Sequence, residues 1–101
     1  MTYSELPPIG IAGTVVYIPP QVLTGQEIAA RTGLPDFVVL EKMGIREIHV
    51  AGPADTITAM AANAARRALD AAGLDPLQLD AILYHGSEYK DHIVWSAASK
   101  I

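Results

Sequence analysis

The chain contains no cysteine and few large aromatic side chains, with one tryptophan and one phenylalanine among its 101 residues. The lack of cysteine excludes a disulfide framework and a thiolate metal site. The longest apolar run, 9–18, has about half of the length that a membrane-spanning helix requires. Charge is also sparse, and the formal net charge is −4. These features argue against nucleic acid or an anionic membrane as a general partner and favour a soluble, cytoplasmic protein.

Half of the residues are hydrophobic, and a chain of this length forms at most one modest domain. The N-terminus has neither the basic region nor the apolar region of a signal peptide. Residues 93–101 begin a helical pattern but supply no Gly, Asn or Pro that would end it. We therefore expect residues 1–101 to be the N-terminal part of a single domain whose catalytic remainder is absent.

Two helices are predicted from local signals. Thr24 and Glu27 have the spacing of a capping box, which opens a helix that ends at Gly33. Pro35 and Gly44 are then expected to bound a second, short helix. The clearest helix is predicted at 56–72, where eight of the seventeen residues are alanine, the strongest helix former. A face built from alanine allows a helix to lie close against a sheet.

Three segments predict strands. Residues 9–18 and 81–85 are almost continuously apolar, which is typical of strands that are covered on both faces in a parallel sheet. Residues 45–50 predict a shorter extended segment. The alternation of strands and helices predicts an α/β fold with mostly parallel strands and covering helices. Such a sheet is incomplete as given, because two or three strands would leave open edges.

Four motifs follow one another along nearly the whole chain. They are Tyr17-Ile18-Pro19, Lys42-Met43-Gly44-Ile45-Arg46-Glu47-Ile48-His49, the alanine-rich helix after Asp55-Thr56, and Asp80-Ala81-Ile82-Leu83 followed by Ser96-Ala97-Ala98. In this order and spacing they resemble the N-terminal part of the β-ketoacyl-acyl-carrier-protein synthase III family, in the thiolase superfamily. The resemblance implies a thiolase-like layered fold.

The resemblance also implies an activity, the decarboxylating condensation of an acyl thioester with malonyl-acyl carrier protein. In the family a cysteine carries the acyl group, and a His and an Asn polarise the thioester and stabilise the enolate. All three lie beyond the Ser-Ala-Ala motif, so no residue of this chain matches them. We expect no covalently bound cofactor, no metal, and no activity from this chain alone. The expected partners are acyl-CoA or acyl carrier protein, and a second subunit in a homodimer.

Two pairs of residues match functional positions of the family. Lys42 matches an Arg that holds the CoA phosphates, and Arg46 is a second possible contact for CoA or carrier phosphates. The family's adenine-stacking Trp aligns around Phe37 or Val38. Val94 and Trp95 match the position just before the Ser-Ala-Ala motif. In the family, the residue at this position reaches across the dimer interface and shapes the acyl pocket of the partner subunit.

Other interpretations of these residues remain open. Lys42 and Arg46 can also be surface charges that pair with Glu41 or Glu47. The cluster at 85–92 can be a polar loop, a metal site or the site of a Ser/His hydrolase; its reactive residues are His85, Ser87, Glu88, Asp91 and His92. His49 is expected to be packed or hydrogen-bonded. The whole chain can also be an interaction module or one subunit of a split thiolase-like protein.

Overall fold

The computed structural model describes residues 2–86 and 97–101. The longer elements are strand β1 (Val22–Thr24), helix α1 (Gly25–Thr32), a π-helical turn (Val38–Lys42), strand β2 (Glu47–His49) and helix α2 (Ile57–Ala72). Short 3-10 turns occur at Tyr3–Glu5, Pro76–Gln78 and Ala97–Ser99. The described chain is therefore mixed α and β, in agreement with the coarse prediction from the sequence.

Helix α1 has the predicted boundaries. The Glu27 amide donates to the Thr24 hydroxyl over 3.2 Å, and the Thr24 amide donates to the Glu27 carboxylate over 2.7 Å. This reciprocal pair satisfies backbone donors that the first turn of a helix leaves free. Gly33 ends the helix in the left-handed conformation, with φ of 72°. The capping box and the glycine stop are both confirmed.

Helix α2 also begins and ends where the sequence predicts. The Thr56 side chain accepts a hydrogen bond from the Ala59 amide at the N-terminus. Gly73 follows the helix in the left-handed conformation, and the Leu74 amide donates to the Leu69 carbonyl over 2.9 Å. These bonds close the last turn, as a glycine stop requires.

The prediction of a parallel sheet is wrong for the described residues. The observed sheet has two strands, β1 and β2, which pair antiparallel with Leu23 opposite Ile48. β2 lies within the segment predicted at 45–50, but neither 9–18 nor 81–85 is a strand. A strand requires a hydrogen-bonded partner, and the described residues supply none for these two segments.

Both of these segments nevertheless lie near α2. Gly13 lies beside the helix, where a Cβ built on it would lie 3.7 Å from the Ala72 Cβ, and the Arg67 guanidinium of the helix lies 5.4 Å from the centroid of the Tyr17 ring. Residues 79–82 lie along another side, across a cavity that Ala65 and Leu69 also line. The alanines of α2 thus permit the close approach that the sequence predicts, although the two segments do not pair with each other.

Little apolar surface is buried. Among the described residues the buried hydrophobic side chains are Ala29, Val39 and Ala62. The radius of gyration is 19.1 Å, compared with about 13 Å for a compact domain of this length. No helix in the described ranges combines the length and the hydropathy needed to cross a membrane.

Candidate functional site

Lys42 and Phe37 form the most distinctive exposed pair at the positions that the sequence singles out. The Lys42 Nζ lies 5.3 Å from the centroid of the Phe37 ring. This distance is within the range of a cation–π interaction. Phe37 is 49% exposed, and Lys42 is also exposed. An aromatic face and a positive charge are thus presented to solvent side by side.

The π-helical turn explains why these two side chains meet. The Met43 amide donates to the Val38 carbonyl over 2.9 Å, which is the i→i+5 pattern of a π turn. With this wider turn, residues five apart come to the same side. In the same turn Val39 is fully buried, whereas Lys42 lies on the surface.

Close packing against α1 fixes the end of this turn. The Gly25 amide donates to the Arg46 carbonyl over 2.7 Å. A Cβ at Gly25 would overlap the Ile45 carbonyl oxygen and the Leu40 side chain, so this approach requires glycine. Gly44, which lies between Lys42 and Arg46, adopts the left-handed conformation with φ of 70°.

Arg46, two residues after Gly44, is also exposed. Within the described ranges, neither Arg46 nor Lys42 forms an ion pair with Glu41 or Glu47. The alternative in which these cations pair with neighbouring carboxylates is therefore not what the described residues adopt. Both positive charges remain available to an anion, although contact with a phosphate is a prediction that no bound ligand tests.

A second cluster joins the N-terminal segment to the start of α2. The Tyr17 hydroxyl donates to Asp55 Oδ1 over 2.6 Å, and the Gly52 amide donates to Asp55 Oδ2 over 2.9 Å. The Arg67 guanidinium lies 5.4 Å from the centroid of the Tyr17 ring. The bond from Tyr17 holds the pKa of Asp55 below its usual range and raises the pKa of Tyr17. Sequence reasoning missed this cluster, because nothing local connects residues 38 positions apart.

A cavity of about 670 Å³ lies between α2, residues 76–82 and the turn at 97–99. The described residues of its walls are mainly aliphatic, and the charged residues among them are Arg66 and Asp80. The two opposite charges favour neither an anionic nor a cationic ligand. Of the described residues that the sequence singled out as site residues, none lines this cavity.

His49 is hydrogen-bonded, as the sequence analysis expected. Its Nδ1 lies 2.7 Å from the Pro19 carbonyl oxygen. Because a carbonyl oxygen only accepts, Nδ1 carries the proton and donates. The ring thereby connects the end of β2 to the segment before β1.

Several predicted site residues lie outside the described ranges. Val94 and Trp95 are among them, as are four members of the 85–92 cluster, namely Ser87, Glu88, Asp91 and His92. His85 is described and is exposed. Among the described residues no group of three His, Cys, Asp or Glu side chains converges as a metal site would require. The acyl-pocket, metal and hydrolase hypotheses for these residues remain predictions.

The chain is similar in sequence to beta-ketoacyl-[acyl-carrier-protein] synthase III proteins of several bacteria. It is 44% identical over 73 residues to beta-ketoacyl-[acyl-carrier-protein] synthase III of Methylococcus capsulatus. This alignment covers 72% of the chain and 23% of that protein. The chain is also 36% identical over 84 residues to the synthase III of Coxiella burnetii, an alignment that covers 82% of this chain and 25% of that protein. It is 40% identical over 73 residues to the synthase III of Bradyrhizobium sp., an alignment that covers 72% of this chain and 22% of that protein.

The resemblance to part of a beta-ketoacyl-acyl-carrier-protein synthase III that the four motifs indicate is therefore confirmed. The chain spans about a quarter of the length of the curated relatives it matches. No family model matches the chain. No solved structure matches it either.

Proposed function

We propose that this chain is the N-terminal, acyl-donor-binding part of a synthase III-like acyltransferase. The reaction is the decarboxylating condensation of an acyl-CoA or other acyl thioester with malonyl-acyl carrier protein. The observation that carries the proposal is the exposed pair of Lys42 and Phe37, with Lys42 in the position of the family's phosphate-binding Arg. The identity of 36–44% to named synthases supports it.

The pair has the chemistry that a CoA thioester requires. An ammonium group binds phosphate oxygens as a point charge. The Phe37 ring offers a face on which a planar base can stack, a contact worth about 1–3 kcal/mol per base in other proteins. Arg46 supplies a second cation beyond Gly44. Together these groups suit a ligand that has phosphates next to an aromatic base.

The chemical step is assigned to residues other than those of this chain. With no cysteine present, the chain has no thiolate on which a thioester intermediate can form. We therefore expect the 101-residue chain to bind donor without turning it over. We further propose that residues 1–101 form part of one thiolase-like layered domain.

The proposed partners follow from the same role. They are the acyl-CoA or acyl carrier protein that delivers the donor, and a second subunit in a homodimer. Val94 and Trp95 are proposed to contribute to the dimer seam and to the acyl pocket. A cytoplasmic location is proposed as well, since a chain without cysteine needs no oxidising compartment.

A chimeric enzyme tests the proposal. The matching quarter of the Methylococcus capsulatus relative is replaced by this chain, and condensation is measured with acyl-CoA and malonyl-acyl carrier protein. We expect an active chimera, in which Lys42→Ala raises the KM for acyl-CoA by roughly tenfold, because a charge-assisted contact is lost while the chemistry is untouched.

Arg66→Ala serves as the matched control, because Arg66 is also an exposed cation but lies on α2. It should leave the KM for acyl-CoA unchanged. A folded chimera without condensation would contradict the proposed function. Equal effects of the Lys42 and Arg66 substitutions would contradict the assignment of the donor site.

A further inference from the structure

Leu40, in the middle of the π-helical turn, packs directly on the backbone of Gly25, the first residue of α1. A Cβ built on Gly25 would lie only 2.5 Å from Leu40 Cδ2. Leu40 is half-buried, Gly25 is buried, and in the sequence Leu40 stands between Phe37 and Lys42. The absence of a side chain at position 25 therefore sets how closely the turn can approach α1.

The same glycine also contacts the backbone that follows Lys42. The Gly25 amide donates to the Arg46 carbonyl over 2.7 Å, and a Cβ at this position would overlap the Ile45 carbonyl oxygen. Gly25 thus contacts the chain before Lys42, at Leu40, and after it, at Ile45 and Arg46. One residue of α1 therefore restrains the backbone on both sides of Lys42.

The π register decides where the Lys42 side chain lies. In a regular α turn, with about 3.6 residues per turn, residues five apart point about 140° away from each other. The bond from the Met43 amide to the Val38 carbonyl adds one residue to the turn, and Lys42 Nζ then lies 5.3 Å from the centroid of the Phe37 ring. Single π turns are rare and occur frequently at functional sites. Loss of the π register would separate the two side chains.

We propose that Gly25 is a positioning residue, which through its contact with Leu40 keeps the π register that holds Lys42 beside Phe37. A side chain at position 25 displaces Leu40, and the turn then loses this register. The step from this geometry to binding of the acyl donor rests on the proposed function. A cation and a ring that are already in place lose less conformational entropy when they bind a ligand, so the donor binds more tightly.

Ring-current shifts measure the geometry of the pair without any donor. The ε-methylene protons of Lys42 are next to an ammonium group that lies over the Phe37 ring, so their NMR resonance is shifted upfield. Phe37→Leu defines the resonance in the absence of the ring. We expect the upfield shift to be lost in Gly25→Ala and to remain in Gln26→Ala, at the exposed neighbour of Gly25.

Leu40→Ala tests the same contact without adding an atom, and it decides the matter if Gly25→Ala does not fold. It should also lose the upfield shift. Leu23→Ala is the matched control, because Leu23 is likewise a half-buried leucine but lies in β1, opposite Ile48. An upfield shift that persists in Leu40→Ala or in folded Gly25→Ala, or an equal loss in Leu23→Ala, would overturn the proposal.

The chimera with the Methylococcus capsulatus relative tests the consequence for the donor. Gly25→Ala, or Leu40→Ala in its place, should raise the KM for acyl-CoA by roughly fivefold and leave kcat and the KM for malonyl-acyl carrier protein unchanged. In a Lys42→Ala background the same substitution should have no further effect, because the pair is already lost.

An equal rise in the KM for acyl-CoA in both backgrounds would mean that Gly25 acts on general stability, and it would overturn the proposal. Inactivity of the unsubstituted chimera would contradict the proposed function alone. The ring-current shifts would then still decide whether Gly25 positions Lys42 beside Phe37.

Discussion

The Tyr17 hydroxyl donates a hydrogen bond to Asp55 Oδ1 over 2.6 Å and so joins two residues that are 38 positions apart. Asp55 directly precedes Thr56, the residue that caps α2. The hydrogen bond therefore connects the N-terminal segment to the N-terminus of α2, the longest helix among the described residues. It also lowers the pKa of Asp55 and raises the pKa of Tyr17.

The stability of this contact is expected to depend on pH at both extremes. Because folding lowers the pKa of Asp55, its contribution is present above the ordinary value of about 3.9 and is lost as the pH falls through the lowered value. Because folding raises the pKa of Tyr17, that contribution is present below about 10 and is lost as the pH rises through the raised value. Thermal unfolding between pH 2 and 12 measures both limbs.

Tyr17→Phe should flatten the alkaline limb and weaken the acid limb, since the substitution removes the hydroxyl that donates to Asp55. Asp55→Asn should remove the part of the acid limb that Asp55 contributes, because an amide does not titrate in this range, and should leave the part that Glu27 contributes. Tyr3→Phe is the control, at a tyrosine that is 97% exposed. A Tyr17→Phe profile that matches the Tyr3→Phe profile at every pH would show that the bond does not contribute.

Gly25→Ala is expected to destabilise the packing of α1 against the π-helical turn. The added methyl group would overlap the Ile45 carbonyl oxygen and the Leu40 side chain. Overpacking of this kind costs about 1–3 kcal/mol. Gln26→Ala, at the next position of the same helix, is exposed and should be close to neutral. Amide exchange of residues 28–32 measures the difference, and equal protection in the two variants would contradict the predicted overlap.

The local signals in the sequence predicted the helices well. Thr24, Gly33, Thr56 and Gly73 act within one turn of their own positions, so their effect does not depend on distant residues. The strands could not be predicted in the same way. Residues 9–18 have the composition of a buried strand, yet pairing depends on what lies beside them, and that is not encoded locally.

The candidate site was predicted only in part. Lys42 was singled out by its place in a motif, but its contact with Phe37 depends on the π turn. A regular helix brings residues three and four apart together, whereas these two are five apart. The bond between Tyr17 and Asp55 was not predicted, because the two residues belong to separate motifs and no local signal connects them.

Thr24→Ala is expected to destabilise α1 by about 1 kcal/mol, the usual effect of removing a threonine cap. The Thr24 amide and hydroxyl both donate to the Glu27 carboxylate and lower its pKa. The contribution of Glu27 is therefore present above the ordinary carboxyl pKa and is lost as the pH falls through the lowered value. Helix content followed by circular dichroism should decline at acid pH less steeply in Glu27→Gln.

Thr32→Ala is a suitable control for the cap, because Thr32 donates from the last turn of α1 to the Ile28 carbonyl, which already accepts within the helix. Its loss should change stability by less than the loss of the cap. If Thr24→Ala and Thr32→Ala lower the free energy of unfolding by the same amount, the N-terminal cap does not specifically stabilise the first turn of α1.

Lys42→Arg should strengthen the binding of CoA. A guanidinium group binds two phosphate oxygens in a planar fork and also stacks on an aromatic face, whereas the ammonium of Lys42 acts as a point charge. With Phe37 beside it, we expect a gain in affinity of roughly two- to fivefold. Lys42→Gln should weaken binding, and Phe37→Leu should remove the advantage of Arg over Lys at position 42. Titration of CoA by calorimetry at two salt concentrations checks this, because the contribution of the cation must fall as salt screens it. Equal affinity for CoA and for dephosphorylated pantetheine would mean that Lys42 holds no phosphate.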